Sequence, residues 1–268
     1  MNQILELVSL LIALSSFGVW VHIGARLAQH QPLISGPVPV TRPRNLAVIV
    51  LAGLWIASAL WTEWKSTEAP PAPLQINLDQ AAEGILMNVV FQVFVAAVFL
   101  LALSEVNQRG LNRYGITKRH WPTAIQVGGL GYLAAVLPVT LAMLAMSPFR
   151  SEGTVHPFLQ LIQTEGSLLV TALLYLSAVV LAPMGEELIF RVAFQGALQR
   201  VLSPPAAIVI SSLLFSAVHG FPDAVGLLPL ALILGFLYWR TGSYLVVFIA
   251  HASFNAVNMT AMMLQVPE

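Results

Sequence analysis

Apolar residues in this chain fall into long unbroken blocks. They do not alternate as in a half-buried strand, nor recur at three- and four-residue intervals as on a soluble helix. The blocks cover residues 7–25, 45–62, 84–104, 122–149, 167–202, 204–220, 224–239 and 244–264. About 20 apolar residues in a helix cross the hydrocarbon of a bilayer. A helix is the element that satisfies its own backbone hydrogen bonds there. The pattern predicts an all-α fold, a polytopic membrane helical bundle of about eight transmembrane helices. The fifth block is longer than one crossing needs and is interrupted by charges.

Composition sharpens this reading. Of 268 residues, 57% are hydrophobic and 9% charged, against roughly 25% charged in soluble domains. That excludes a water-soluble globular enzyme, a disordered chain and a nucleic-acid binder with a basic patch; the expected partner is the lipid bilayer. The absence of cysteine excludes disulfides, thiolate metal sites and cysteine nucleophiles. Twelve basic and twelve acidic side chains cancel, but their positions are informative. Arg26, Arg42 and Arg44, then Arg109, Arg113, Lys118 and Arg119, then Arg191, Arg200 and Arg240 fall on one set of alternate loops, leaving Lys65 and Arg150 for the other. By the positive-inside rule, eight spans then leave both termini outside the cytoplasm, with Arg191 discounted if it is intramembrane. Trp61, Trp64, Trp121 and Trp239 sit at block ends, as interfacial anchors do. Gly128, Gly129 and Gly131 predict close packing of the fourth helix on a neighbour.

The last third of the chain carries ionisable groups where lipid disfavours them. Glu186, Glu187 and Arg191 lie in the fifth block, His219 ends the sixth, and His251 and Asn255 lie in the eighth. A charge at mid-bilayer costs at least about 2.5–3.5 kcal/mol, so such residues usually serve function. At about 1.5 Å rise per residue from the inner interface, Glu186 sits roughly 21 Å up, His219 roughly 22 Å, His251 roughly 12 Å and Asn255 roughly 18 Å. Three helices thus deliver polar groups to overlapping depths. This requires the fifth block to be one helix through Pro183. A break at Glu186, with residues 190–202 lying in the membrane plane, would instead put Glu186 and His219 near opposite faces.

Spacing assigns chemistry. Glu187 and Arg191 are i and i+4 and can pair, which points to a structural role in orientation and neutralisation. Glu186 faces elsewhere, as a desolvated general base would. His219 can share a water with it. His251 and Asn255, also i and i+4, would turn N–H donors into one cavity and stabilise an oxyanion. Together these groups suggest hydrolysis of an amide inside the membrane.

The ordered motifs Glu-Glu-x-x-x-Arg (Glu186, Glu187, Arg191), Phe-x-x-x-His (Phe215, His219) and His-x-x-x-Asn (His251, Asn255) resemble the CPBP family, as does the run from Gly235 to Ser243. That family contains type II CaaX prenyl endopeptidases and bacterial Abi, or bacteriocin-processing, proteins. The resemblance covers residues 181–257 and implies an α-helical intramembrane endopeptidase in a bacterial cytoplasmic membrane, acting on a membrane-embedded or lipidated peptide. It further implies that Glu186 activates water with help from His219, that His251 and Asn255 form the oxyanion site, and that Phe215 packs beside His219. The glutamate-protease reading needs no cofactor; a metalloprotease reading would place zinc on Glu and His ligands. Residues 151–268 would then be the catalytic core, behind motif-free helices in 1–150. Two other classes compete. One is a non-catalytic scaffold or bacteriocin-immunity protein. The other is a proton-coupled transporter using Glu186 and His219, which the lack of internal repeats disfavours.

Overall fold

The computed structural model describes residues 2–34, 46–68, 78–104, 111–116, 121–150 and 168–264. The proline-bearing loops at Pro37, Pro39 and Pro43 and at Pro70, Pro71 and Pro73 lie outside them. So do Arg42, Arg44, Arg109, Lys118 and Arg119. Among the described residues there are eight helices and no strand: α1 (Asn2–Ala28), α2 (Leu46–Glu68), α3 (Leu78–Ser104), α4 (Trp121–Met146), α5 (Leu168–Leu198), α6 (Pro204–Ala217), α7 (Asp223–Thr241) and α8 (Tyr244–Leu264). All but α6 are long and apolar enough to span a membrane. The chain is a polytopic helical bundle and an integral membrane protein.

The eighth predicted crossing is therefore corrected. Helix α6 has 14 residues, about 21 Å against roughly 30 Å of hydrocarbon. It starts at Pro204 as expected but ends at Ala217, and the Gly220 turn, with φ +70°, follows its end. A helix of this length, entered at one interface, ends short of the other, in keeping with the depth of roughly 22 Å expected for His219.

Helix α4 is the spine. It packs along α7 and α8, while α6 packs on α7 and on the later turns of α5. A methyl group at Gly131 would collide with Leu237, and one at Gly128 would stand 2.8 Å from Ile249 Cγ2. Gly129 faces open space, so two of the three expected glycines make the close approach. Helix α1 touches the bundle through α4, and 6% of its apolar window is buried; its leucines face lipid. Its attachment is polar. Pro138 lacks an N–H and so frees the Ala134 carbonyl four residues back, which accepts a bond from Trp20 Nε1 at 3.0 Å. The Leu137 N–H donates to the fully buried Ser16 Oγ at 3.1 Å. A neighbouring helix thus satisfies the broken turn, as lipid cannot.

Helix α5 runs unbroken through Pro183, without the break at Glu186. It is π-helical over Ser177–Leu181 and Leu188–Gln195, flanking an α-helical turn, Ala182–Glu187. A π turn advances less per residue than an α turn, which shortens this 31-residue helix somewhat. Such turns concentrate at functional sites, and here they bracket both carboxylates.

Candidate active site

Helices α5, α6 and α8 bring the predicted residues together through Glu187. Its carboxylate is fully buried and bridges two elements: Oε2 accepts from Arg191 Nε at 3.1 Å, and Oε1 accepts from His251 Nδ1 at 2.8 Å. The expected Glu187–Arg191 pair forms and extends to a third member on α8. Because a carboxylate can only accept, His251 carries its proton on Nδ1, and Nε2 faces the other carboxylate, 3.8 Å from Glu186 Oε2. Glu186 keeps a fifth of its side-chain surface accessible (20%), against 0% for Glu187 and 4% for His251. Adjacent residues on one helix are thus divided between access to the outside and structural support.

Phe215 joins His219 to this set. Its ring centroid lies 4.8 Å from that of His219, 5.6 Å from that of His251 and 5.2 Å from that of Phe190. The Arg191 guanidinium sits over its face at 4.9 Å, a cation–π contact strengthened by burial. His219 Nδ1 lies 2.7 Å from the Phe215 carbonyl. Since a carbonyl only accepts, the proton is on Nδ1, and in the neutral ring Nε2 is an acceptor.

Asn255 has a partner that the sequence does not suggest. Its Nδ2 donates to the Ala178 carbonyl at 2.8 Å. The physical reason is Pro183. In the π register the Ala182 N–H bonds to Ser177, so the next bond would run from residue 183 to Ala178, and proline has no N–H to give. Asn255 fills that gap with one of its two N–H groups.

Several polar residues at the site are absent from the sequence reading. Ser211 donates to the Phe190 carbonyl at 3.0 Å and lies 3.4 Å from Arg191 Nη1. Tyr244 O–H donates to the Met184 carbonyl at 2.9 Å, and buried Gln195 Nε2 donates to the Gly235 carbonyl at 2.9 Å. The Glu63 carboxylate of α2 packs against Gly220, next to His219. Ser177 lies 3.1 Å from the amides of both Asn88 and Gln92 on α3. A signal existed for this last pair: two carboxamides at i and i+4 in an apolar span mark interhelical contact.

An open cleft reaches Glu186 between α2, α3 and α5. Trp55, Phe91, Val95 and Ile189 make most of its wall apolar, with Gln92 beside them. Among the described residues no three His, Asp or Glu side chains gather as a metal-binding group. Glu187 already engages His251 Nδ1, and the Phe215 ring touches both imidazoles. This arrangement does not fit a zinc ion.

Residues 168–257 match the family model described as Type II CAAX prenyl endopeptidase Rce1-like. This stretch is similar to an Rce1-like domain. Its limits enclose the predicted motifs from Glu186 to Asn255 and agree with the CPBP resemblance, so the similarity to a CAAX-type endopeptidase family lies in α5–α8. No curated protein and no solved structure matches the chain. The match begins at the first described residue of α5, so Gln92 and Glu63 contribute to the site from outside the Rce1-like domain.

Proposed function

We propose that the chain is an intramembrane endopeptidase that hydrolyses a peptide bond in a membrane-embedded or lipidated, CaaX-type substrate, with Glu186 as general base. The observation that carries this reading is the unequal pair of adjacent carboxylates: Glu187 buried between Arg191 and His251, Glu186 open to the cleft. Glu186 takes a proton from a water whose oxygen attacks the scissile carbonyl carbon. His219 Nε2 holds that water by accepting its other hydrogen. His251, in its doubly protonated form and anchored by Glu187, donates Nε2–H to the oxyanion, joined by the second N–H of Asn255. The C–N bond then breaks, and the proton on Glu186 passes to the departing amine. Products are a carboxylate and an amine, without an added cofactor. The host membrane in this reading is a bacterial cytoplasmic one, with 151–268 as catalytic core.

The test is a quenched-fluorescent farnesylated peptide ending in Cys-a-a-X, presented to the purified full chain in detergent. Replacing a general base removes about 10²–10⁴-fold in rate, so Glu186→Gln is expected to lower kcat by at least about 10²-fold. Full activity in that variant refutes the reading, and favours a scaffold or immunity role.

A further inference from the structure

The catalytic set stands on α5, α6 and α8, yet the cleft leading to Glu186 is walled by α2 and α3 as well. A peptide entering it takes its backbone carbonyls out of water into an apolar surround, which is costly unless each finds a donor. Few donors are available: apart from the Trp55 indole, Gln92 is the lining side chain with N–H groups to offer.

Gln92 is also held in place. Ser177 Oγ lies 3.1 Å from its amide and 3.1 Å from that of Asn88. One hydroxyl has one hydrogen, which Ser177 Oγ shares between two amide oxygens, Gln92 Oε1 and Asn88 Oδ1. With its Oε1 turned to Ser177, Gln92 has both N–H groups left for the cleft. Ser177 lies in the first π segment of α5, nine residues before Glu186, so the same helix orients the base and the amide.

We propose that Gln92 is a substrate-positioning residue, its N–H₂ donating to a backbone carbonyl of the peptide next to the scissile bond. This rests on the endopeptidase reading and gives α3, outside the Rce1-like domain, a direct part in substrate binding.

The experiment uses the full chain and the same farnesylated peptide. Gln92→Met keeps side-chain length and removes both donors; Gln92→Glu keeps the Ser177 acceptor and replaces the donor by a second acceptor. One hydrogen bond corresponds to about three- to tenfold in affinity. Gln92→Met is expected to raise KM by that factor and leave kcat within about twofold, and Gln92→Glu to raise KM further. In the Glu186→Gln background, where cleavage is blocked, Gln92→Met raises the Kd of the peptide by the same factor. Ser177→Ala, which frees the amide without removing it, gives a smaller rise of about two- to threefold. An unchanged KM and Kd in Gln92→Met, or a loss confined to kcat, overturns the inference. Should Gln92→Met fail to purify as a folded species, Gln92→Glu and Ser177→Ala decide by the same criteria. Cleavage by Glu186→Gln at the wild-type rate instead overturns the endopeptidase reading, as does a wild-type chain that leaves the peptide intact, and the inference falls with it.

Discussion

Glu187→Gln isolates what the buried ion pair does. Both side chains of the Glu187–Arg191 pair are 0% accessible, so no solvent screens them. The variant leaves Arg191 as an uncompensated charge and sets an amide where His251 Nδ1–H needs an acceptor. Breaking a buried pair from one side costs about 3–5 kcal/mol; the lost charge-assisted bond to His251 lies within that range rather than adding to it. At roughly 2–4 °C per kcal/mol for a chain of this size, melting in detergent should fall by about 6–20 °C. The companion variant Glu187→Leu/Arg191→Met removes both charges and is expected to recover most of that loss, because well-packed apolar replacements of buried pairs are often neutral or stabilising. Peptidase activity should not return with stability, since His251 still lacks its Nδ1 anchor. A Glu187→Gln protein melting within about 2 °C of wild type would refute the reasoning. It would mean that water reaches the pair.

Two further perturbations probe the proline gaps by thermal melting. Trp20→Phe is expected to cost about 1 kcal/mol by leaving the Ala134 carbonyl bare, and Pro138→Ala, which restores the missing N–H, should abolish that cost; equal losses in both backgrounds would contradict the assignment. Asn255→Leu is likewise expected to cost about 1–3 kcal/mol in the Pro183 chain and less in Pro183→Ala, with any oxyanion role showing separately as a fall in kcat that Pro183→Ala does not relieve.

Much of the site was legible because lipid makes polar residues conspicuous. Glu186, Glu187, Arg191 and His251 stand out against apolar neighbours, and i,i+4 spacing correctly paired Glu187 with Arg191. The third member of that pair was not legible, because the contact between Glu187 and His251 depends on how α8 crosses α5. Asn255 illustrates the other limit: its partner is a carbonyl freed by a proline 72 residues earlier in the chain, and only the π register reveals which carbonyl. The length of α6 was overestimated because hydropathy cannot distinguish an apolar turn from an apolar helix, so residues 218–220 were counted into a crossing. Asn88 and Gln92 carry a readable i,i+4 spacing but no charge, so they stand out less against an apolar span than the ionisable groups do.

Among lipid-facing surfaces one leucine is as good as another, so oiliness alone tells α1 nothing about where to stop. The gap at Pro138 supplies that address. It presents one bare oxygen and one spare N–H at a single height, and α1 answers with an indole and a hydroxyl one turn apart. Shuffling the aliphatic residues of α1 should therefore be nearly silent, whereas sliding Ser16 and Trp20 along it by a single residue would turn both away from their mooring.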